Sequence, residues 1–210
     1  MAMADKIEKR YHVVDEIRTE EADRKVGGYA AVFNKEARIT ERLIEKIAPG
    51  AFRSSLSNDI RALWSHNPDM VIGRTTNGSL KLTEDERGLA FDLSLPDTTQ
   101  GRDAFTLIKQ GFVTGVSFGF RVKKDSWTRG ENGAPHLRTL EEVELIEVSP
   151  TAFPAYTDTS VSSRSTDELL KDVETQWAFE EKEKGAQIVA LRAKLDILER
   201  RYKLADILLQ

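Results

Sequence analysis

Val113-Thr-Gly-Val-Ser-Phe-Gly-Phe120 is an apolar, strand-like run that carries a serine between two glycines. Serine adds little to a strand and each glycine weakens it, so Gly115, Ser117 and Gly119 each need a reason. One reason is a nucleophile that requires close approach of the backbone, with a distant histidine as its base. Read as a strand over residues 112–122, the run also ties together what lies on either side of it.

On its N-terminal side, residues 97–110 read as a helix. Asp97 or Thr98 can cap it, Phe105, Leu107 and Ile108 supply its buried face, and Gly111 stops it. Further out, Leu80-Lys-Leu-Thr83 and residues 89–95 alternate with period two around Asp85-Glu-Arg-Gly88, which predicts a hairpin. Asn77-Gly78, after the short apolar run 70–74, is a second hairpin signal. Residues 59–65 predict a strand that leads directly into His66. Residues 26–33 and 39–47 predict two more strands, and Pro49-Gly-Ala-Phe-Arg-Ser-Ser-Leu56 a short helix with proline at its start. On the C-terminal side, Arg129-Gly-Glu-Asn-Gly-Ala-Pro-His136 reads as an exposed loop, and residues 137–148 as the last strand before Ser149-Pro150. Many short strands with one or two helices describe a mainly β, α+β domain, largely antiparallel and barrel-like. No internal repeat or dinucleotide fingerprint is visible.

The chain changes character near residue 157. Residues 1–156 form the strand-rich domain, 157–167 (Thr-Asp-Thr-Ser-Val-Ser-Ser-Arg-Ser-Thr-Asp) read as a small, polar linker, and 168–210 have the composition of a helix. In that last segment Ile188, Leu191, Leu195, Leu198, Tyr202, Ala205 and Leu209 recur at alternating spacings of three and four, an a/d seam of coiled-coil character. Such a helix either packs on its own domain or associates with another copy or partner.

Composition excludes several classes. A net charge of −4 over 210 residues, with no basic stripe, argues against nucleic acid as the partner. There is no cysteine, which removes disulfides, thiol nucleophiles and cysteine metal sites. No metal-ligand constellation or phosphate-cradling loop appears, so no metal and no cofactor is expected. The charged N-terminal decapeptide is not a signal peptide, and no apolar stretch is long enough to span a bilayer. An intracellular protein without a membrane partner is the expectation.

Serine needs an adjacent base, and histidine suits that task near neutral pH. The chain has three histidines. His12 lies in the strand-like Tyr11-His-Val-Val14, and His136 in the exposed loop. His66 ends a strand just before Asn-Pro-Asp, where a side chain is held yet accessible, and is the best placed base.

The motifs occur in a telling order: Gly28-Tyr-Ala-Ala-Val-Phe-Asn34, Ile47-Ala-Pro-Gly-Ala-Phe52 with Ser55-Leu56, His66 with Ile72-Gly-Arg74, Gly115-Val-Ser-Phe-Gly-Phe120, and Glu147-Val-Ser149 with Pro154-Ala155. In this the chain resembles the tailed-bacteriophage prohead maturation proteases from Val26 to Ala155. That family is similar in fold to the herpesvirus capsid maturation protease, so the resemblance implies a closed antiparallel barrel with flanking helices. It also implies Ser117 as nucleophile and His66 as general base of a serine endopeptidase working through an acyl-enzyme.

The third member is an acid in the last strand, or a second histidine as in the herpesvirus enzymes. Strict alternation puts Val143, Leu145, Glu147 and Ser149 on one face and Glu144, Ile146 and Val148 on the other. Glu147, between two apolar residues, is the leading candidate; Glu144 is next and His136 third. Arg74 either adds charge near His66 or forms a surface salt bridge. By the same resemblance the substrate is a major capsid protein or its scaffolding segment, and the place of action the assembling prohead in the host cytoplasm. The C-terminal helix would serve self-association or recruitment, and the linker would be a site of self-cleavage. The competing expectation is a catalytically silent capsid scaffold or assembly protein acting through its coiled coil.

Overall fold

The computed structural model describes residues 7–13, 17–152 and 160–208. The chain divides into two compact units, Met1–Thr157 and Asp158–Gln210. Among the described residues the first unit contains eleven strands: β1 (Glu8–Val13), β2 (Arg18–Glu20), β3 (Lys25–Val32), β4 (Ala37–Arg38), β5 (Leu43–Ile47), β6 (Arg61–Trp64), β7 (Asn67–Arg74), β8 (Leu80–Glu84), β9 (Gly88–Ser94), β10 (Gly115–Thr128) and β11 (His136–Thr151). Helix α1 (Thr99–Lys109) lies between β9 and β10. Of the two caps the sequence offers, Asp97 and Thr98, it is the Thr98 side chain that caps the helix, accepting from the Gly101 N–H.

Two sheets result. One runs β1-β10-β11-β5-β4, with β6 and β7 branching from β11; the other runs β2-β3-β9-β8. The unit is therefore a sheet-dominated α+β fold, but the expected closed barrel is not found. Among the described strands the long path ends at β1 and β4 and the short sheet at β2 and β8, with no pairing to join them. The reason lies in β11. Its first part pairs in parallel with β5 and its later part in parallel with β6, so the sheet forks along one long strand instead of closing. In the gap between those partners, the Ser55 hydroxyl donates to the Val143 carbonyl (2.7 Å) and accepts from the Leu145 N–H (3.0 Å). A side chain thus satisfies backbone that has no strand beside it.

Several local expectations change. The short helix predicted after Pro49 is only a 3-10 turn, Arg53–Ser55. Of the strand expected over 39–47 only Leu43–Ile47 (β5) forms, and it pairs back antiparallel with β4, which precedes the expected span. Asn77-Gly78 turns the chain but makes no hairpin, because β7 pairs with β6 while β8 pairs with β9. The core lies between the sheets around Phe52, Phe118 and Phe120, which contact one another at ring-centroid distances of 5.5 and 5.3 Å. Side chains of this size contribute about 1.5–3 kcal/mol each on full burial.

The second unit contains helix α2 (Ser160–Leu208). It starts eight residues before the predicted helical segment, so residues 160–167 of the expected linker are helical; 157–159 lie outside the described residues. Serine and threonine are tolerated there because they make up the first turns, where helix ends accept them readily. Ile188, Leu191, Leu195 and Leu198 of the seam are each about half exposed on α2. The side chains of Tyr202, Ala205 and Leu209 lie outside the described residues. Among the described residues no helix is long and apolar enough to cross a membrane.

Candidate active site

β10 and β11 form an antiparallel hairpin in which Ser117 lies opposite Ser149 and Gly119 opposite Glu147. Beyond Gly119 the register slips: Phe120 faces Leu145, leaving Ile146 as an extra residue in β11. This bulge overturns the strict alternation expected for the strand. Val143 and Leu145 stay in the core with Phe120, whereas Glu147 and Ser149 turn to the other face, where Ser117 and Gly119 already point. Ser117 and Glu147 become diagonal neighbours on one face, about 7–8 Å apart at Cα.

Gly119 has a steric reason. A Cβ there would sit 2.5 Å from Glu147 Oε1 and 3.2 Å from its carboxyl carbon, so the Glu147 side chain lies across a position only glycine leaves open.

His66 comes from the neighbouring branch. β6 and β7 are joined by the two-residue turn Ser65-His66, with Trp64 opposite Asn67. Both turn residues have positive φ, 51° and 61°, as a type I′ hairpin demands. The usual Asn-Gly would relax there, while serine and histidine hold a left-handed conformation at about 1–3 kcal/mol each. Two hydrogen bonds from β11 hold the turn: the Ser65 N–H to the Pro150 carbonyl (3.1 Å) and the His66 N–H to Ser149 Oγ (3.2 Å).

The imidazole then meets the carboxylate. His66 Nδ1 is 2.6 Å from Glu147 Oε1, and Ser149 Oγ donates to Glu147 Oε2 at 2.5 Å. Glu147 is 5% exposed, and Ser117 and Ser149 are fully buried. Nε2 of His66 is buried and has no hydrogen-bond partner among the described residues. The Ser117 hydroxyl donates to the Arg10 carbonyl of β1 (2.8 Å), not to His66.

The other candidates stand elsewhere. Glu144 binds Lys123 (2.9 Å) and Arg121 (3.6 Å), and the hydrogen bond from Lys123 holds its carboxyl below the usual range. His136 begins β11, where its Nδ1 accepts from the Gly130 N–H. Arg74 forms a two-pronged salt bridge with Asp59, at 2.7 and 2.6 Å, which pulls the Asp59 carboxyl down to about 2.

Two participants escaped the sequence reading. The role of Ser149 was within reach, since it follows Glu147 by two residues and must share its face. Arg10, whose carbonyl holds the Ser117 hydroxyl, carried no signal at all. Its place depends on β1 lying antiparallel to β10 with Tyr11 opposite Ser117.

A serine, a histidine and a carboxylate on adjoining strands are the constituents of a serine hydrolase centre. The chain belongs to the caudovirus prohead serine protease family, whose profile matches residues 13–172. Among curated proteins it is similar to the prohead protease of Enterobacteria phage HK97, with 31% identity over 156 residues, covering 70% of this chain and 64% of that protein. It therefore spans less than two thirds of that relative's length. Among solved structures it is similar to the bacteriophage T4 capsid assembly protease gp21, with a TM-score of 0.46 and 8% identity over 69% of this chain and 98% of that one.

Proposed function

We propose that this chain is a serine endopeptidase of phage head maturation, with Ser117 as nucleophile, His66 as general base and Glu147 as the acid that orients it. The observation that carries this is the 2.6 Å contact between His66 Nδ1 and Glu147 Oε1 beside the strand that holds Ser117. Family membership supports the reaction class. A carboxylate on Nδ1 keeps the proton there and leaves the Nε2 lone pair to act as base. His66 takes the Ser117 proton as Oγ attacks the peptide carbonyl; the imidazolium, stabilised by Glu147, then protonates the leaving amine. Water, deprotonated by His66 in turn, releases the acyl group and restores Ser117.

A hydroxyl carries one proton, so Ser117 cannot donate to Arg10 and His66 at once. The arrangement with Arg10 is a resting state, and catalysis begins when the hydroxyl exchanges one acceptor for the other. The substrate class is a major capsid protein or its scaffolding segment, cut inside the assembling prohead in the host cell. The exposed seam of α2 would serve self-association, in keeping with its coiled-coil spacing.

Co-expression with a capsid protein tests the reaction, and a fluorophosphonate, which phosphonylates activated serines with loss of fluoride, tests the centre. Wild type is expected to trim the capsid protein and to take the label, and Ser117→Ala to do neither. If the wild type leaves the capsid protein whole and stays unlabelled, the silent scaffold role replaces the protease. Intact mass of wild type against Ser117→Ala tests self-cleavage near residues 157–167. Equal masses from active enzyme would remove that part.

A further inference from the structure

We propose that Ser149 is a positioning residue of this centre, locking the strained His66 turn to the Glu147 carboxylate; the inference rests on the protease reading above. Three hydrogen bonds close a ring. The His66 N–H donates to Ser149 Oγ at 3.2 Å, Ser149 Oγ–H donates to Glu147 Oε2 at 2.5 Å, and Glu147 Oε1 meets His66 Nδ1 at 2.6 Å. The same histidine is thus held twice, at its backbone and at its ring, through one carboxylate and one hydroxyl.

The chemistry of the link is demanding. Ser149 spends its only proton on Glu147 and must accept with a lone pair from His66. Alanine offers neither group, and a thiol offers only weak versions of both. Ser149 is fully buried, so solvent does not stand ready to replace it. The need for the link is visible too, because Ser65 and His66 both hold positive φ without being glycine. With the Ser149 bond gone, the described turn keeps one backbone hydrogen bond to β11, from Ser65 to Pro150, beside the ring contact of His66 with Glu147. The Glu147 carboxylate, with its second oxygen released, can rotate away from Nδ1.

Ser149 gives its only proton to Glu147 and Ser117 gives its own to the Arg10 carbonyl, so no hydrogen bond links the two hydroxyls although they lie opposite each other. The effect of Ser149 therefore passes through His66. A ring displaced by an ångström costs about 100-fold in a reaction of this kind.

The test uses the full chain. Fluorophosphonate labelling separates the maximal labelling rate from the concentration dependence, and NMR of ¹⁵N-histidine protein reports the low-field His66 Nδ1 proton. Ser149→Ala is expected to slow labelling about 10- to 100-fold with its concentration dependence unchanged, and to lose the low-field proton. Ser149→Thr, which keeps the hydroxyl, is expected to recover both. If Ser149→Ala does not fold, Ser149→Cys takes its place with the same expectation. Retention of the low-field proton and of the wild-type labelling rate in the alanine or cysteine variant would overturn the proposal. Should the wild type take no label and leave the capsid protein whole, the protease reading fails; the NMR signal still decides whether Ser149 holds the His66–Glu147 pair.

Discussion

The β10–β11 hairpin carries a buried polar cluster towards each end, and the two are built on different terms. Towards the loop, Arg138 bonds Asp125 at 2.6 Å, Glu8 at 3.0 Å and Glu45 at 3.2 Å, while Arg10 bonds Glu45 at 2.5 Å and Glu8 at 2.6 Å. Two guanidinium groups and three carboxylates satisfy one another, and Arg138 and Glu45 are each 3% exposed. At the other end, Ser117, His66, Glu147 and Ser149 form an incomplete circuit: Nε2 of His66 is buried without a partner among the described residues. A structural network closes all its bonds, because a buried unpaired charge is costly. A centre that moves a proton, the role proposed for this end, needs one acceptor free. Arg10 belongs to both, its guanidinium in the ionic network and its carbonyl on the Ser117 hydroxyl.

Substitutions that affect one end and spare the other would sharpen this contrast. The largest effect is expected from Ser117→Ala, which should lower the rate of capsid-protein cleavage at least about 10⁴-fold while the melting temperature stays close to wild type. Glu147→Gln should follow with a loss of about 10³- to 10⁴-fold in kcat, since the amide no longer stabilises the imidazolium; steady-state kinetics on the same substrate would show it. At the loop end the readout is stability. Glu45→Ala leaves Arg10 and Arg138 short of a buried partner and should cost about 3–5 kcal/mol in urea unfolding. If Glu45→Ala instead lost activity with unchanged stability, the division of labour between the two ends would be wrong.

The smallest effect is a pH dependence. Burial pushes the Glu8 carboxyl up, but Arg10 and Arg138 more than reverse this and leave it below the usual range. A carboxyl lowered on folding adds stability that is present above its unfolded pKa, near 4.3, and lost as the pH falls through the folded value. Unfolding free energy should therefore decline on acidification below the ordinary carboxylate range, and less steeply in Glu8→Gln. Parallel slopes for the two proteins would remove Glu8 from the network's account.

What could be read in advance was local. Helix α1 is announced by its cap at Thr98 and its stop at Gly111, and the β8–β9 hairpin by period-two alternation around Asp85–Gly88. The Glu147–His66 pairing was legible as residue types, through a resemblance that family membership now shows. The bulge at Ile146 was not legible, because nothing in Glu144-Leu-Ile-Glu-Val marks where a strand takes an extra residue; its partner β10 decides that. The turn at Ser65-His66 was hidden for a related reason. Neither residue favours positive φ, and the conformation persists because Ser149 and Pro150, more than eighty residues later, bond to it.

By itself the sequence determined the strand-rich first domain, the helical tail, the family, and the serine, histidine and acid from which a centre could be drawn. Local propensity and periodicity act over a few residues, and those features need no more. Only the tertiary structure decided that the sheet forks instead of closing, that Glu147 rather than Glu144 or His136 meets His66, and that Arg10 holds the Ser117 hydroxyl. Each depends on which distant strands lie side by side. Register across a sheet is set by the packing of a whole face, and a slip of one residue sends every side chain beyond it to the other side.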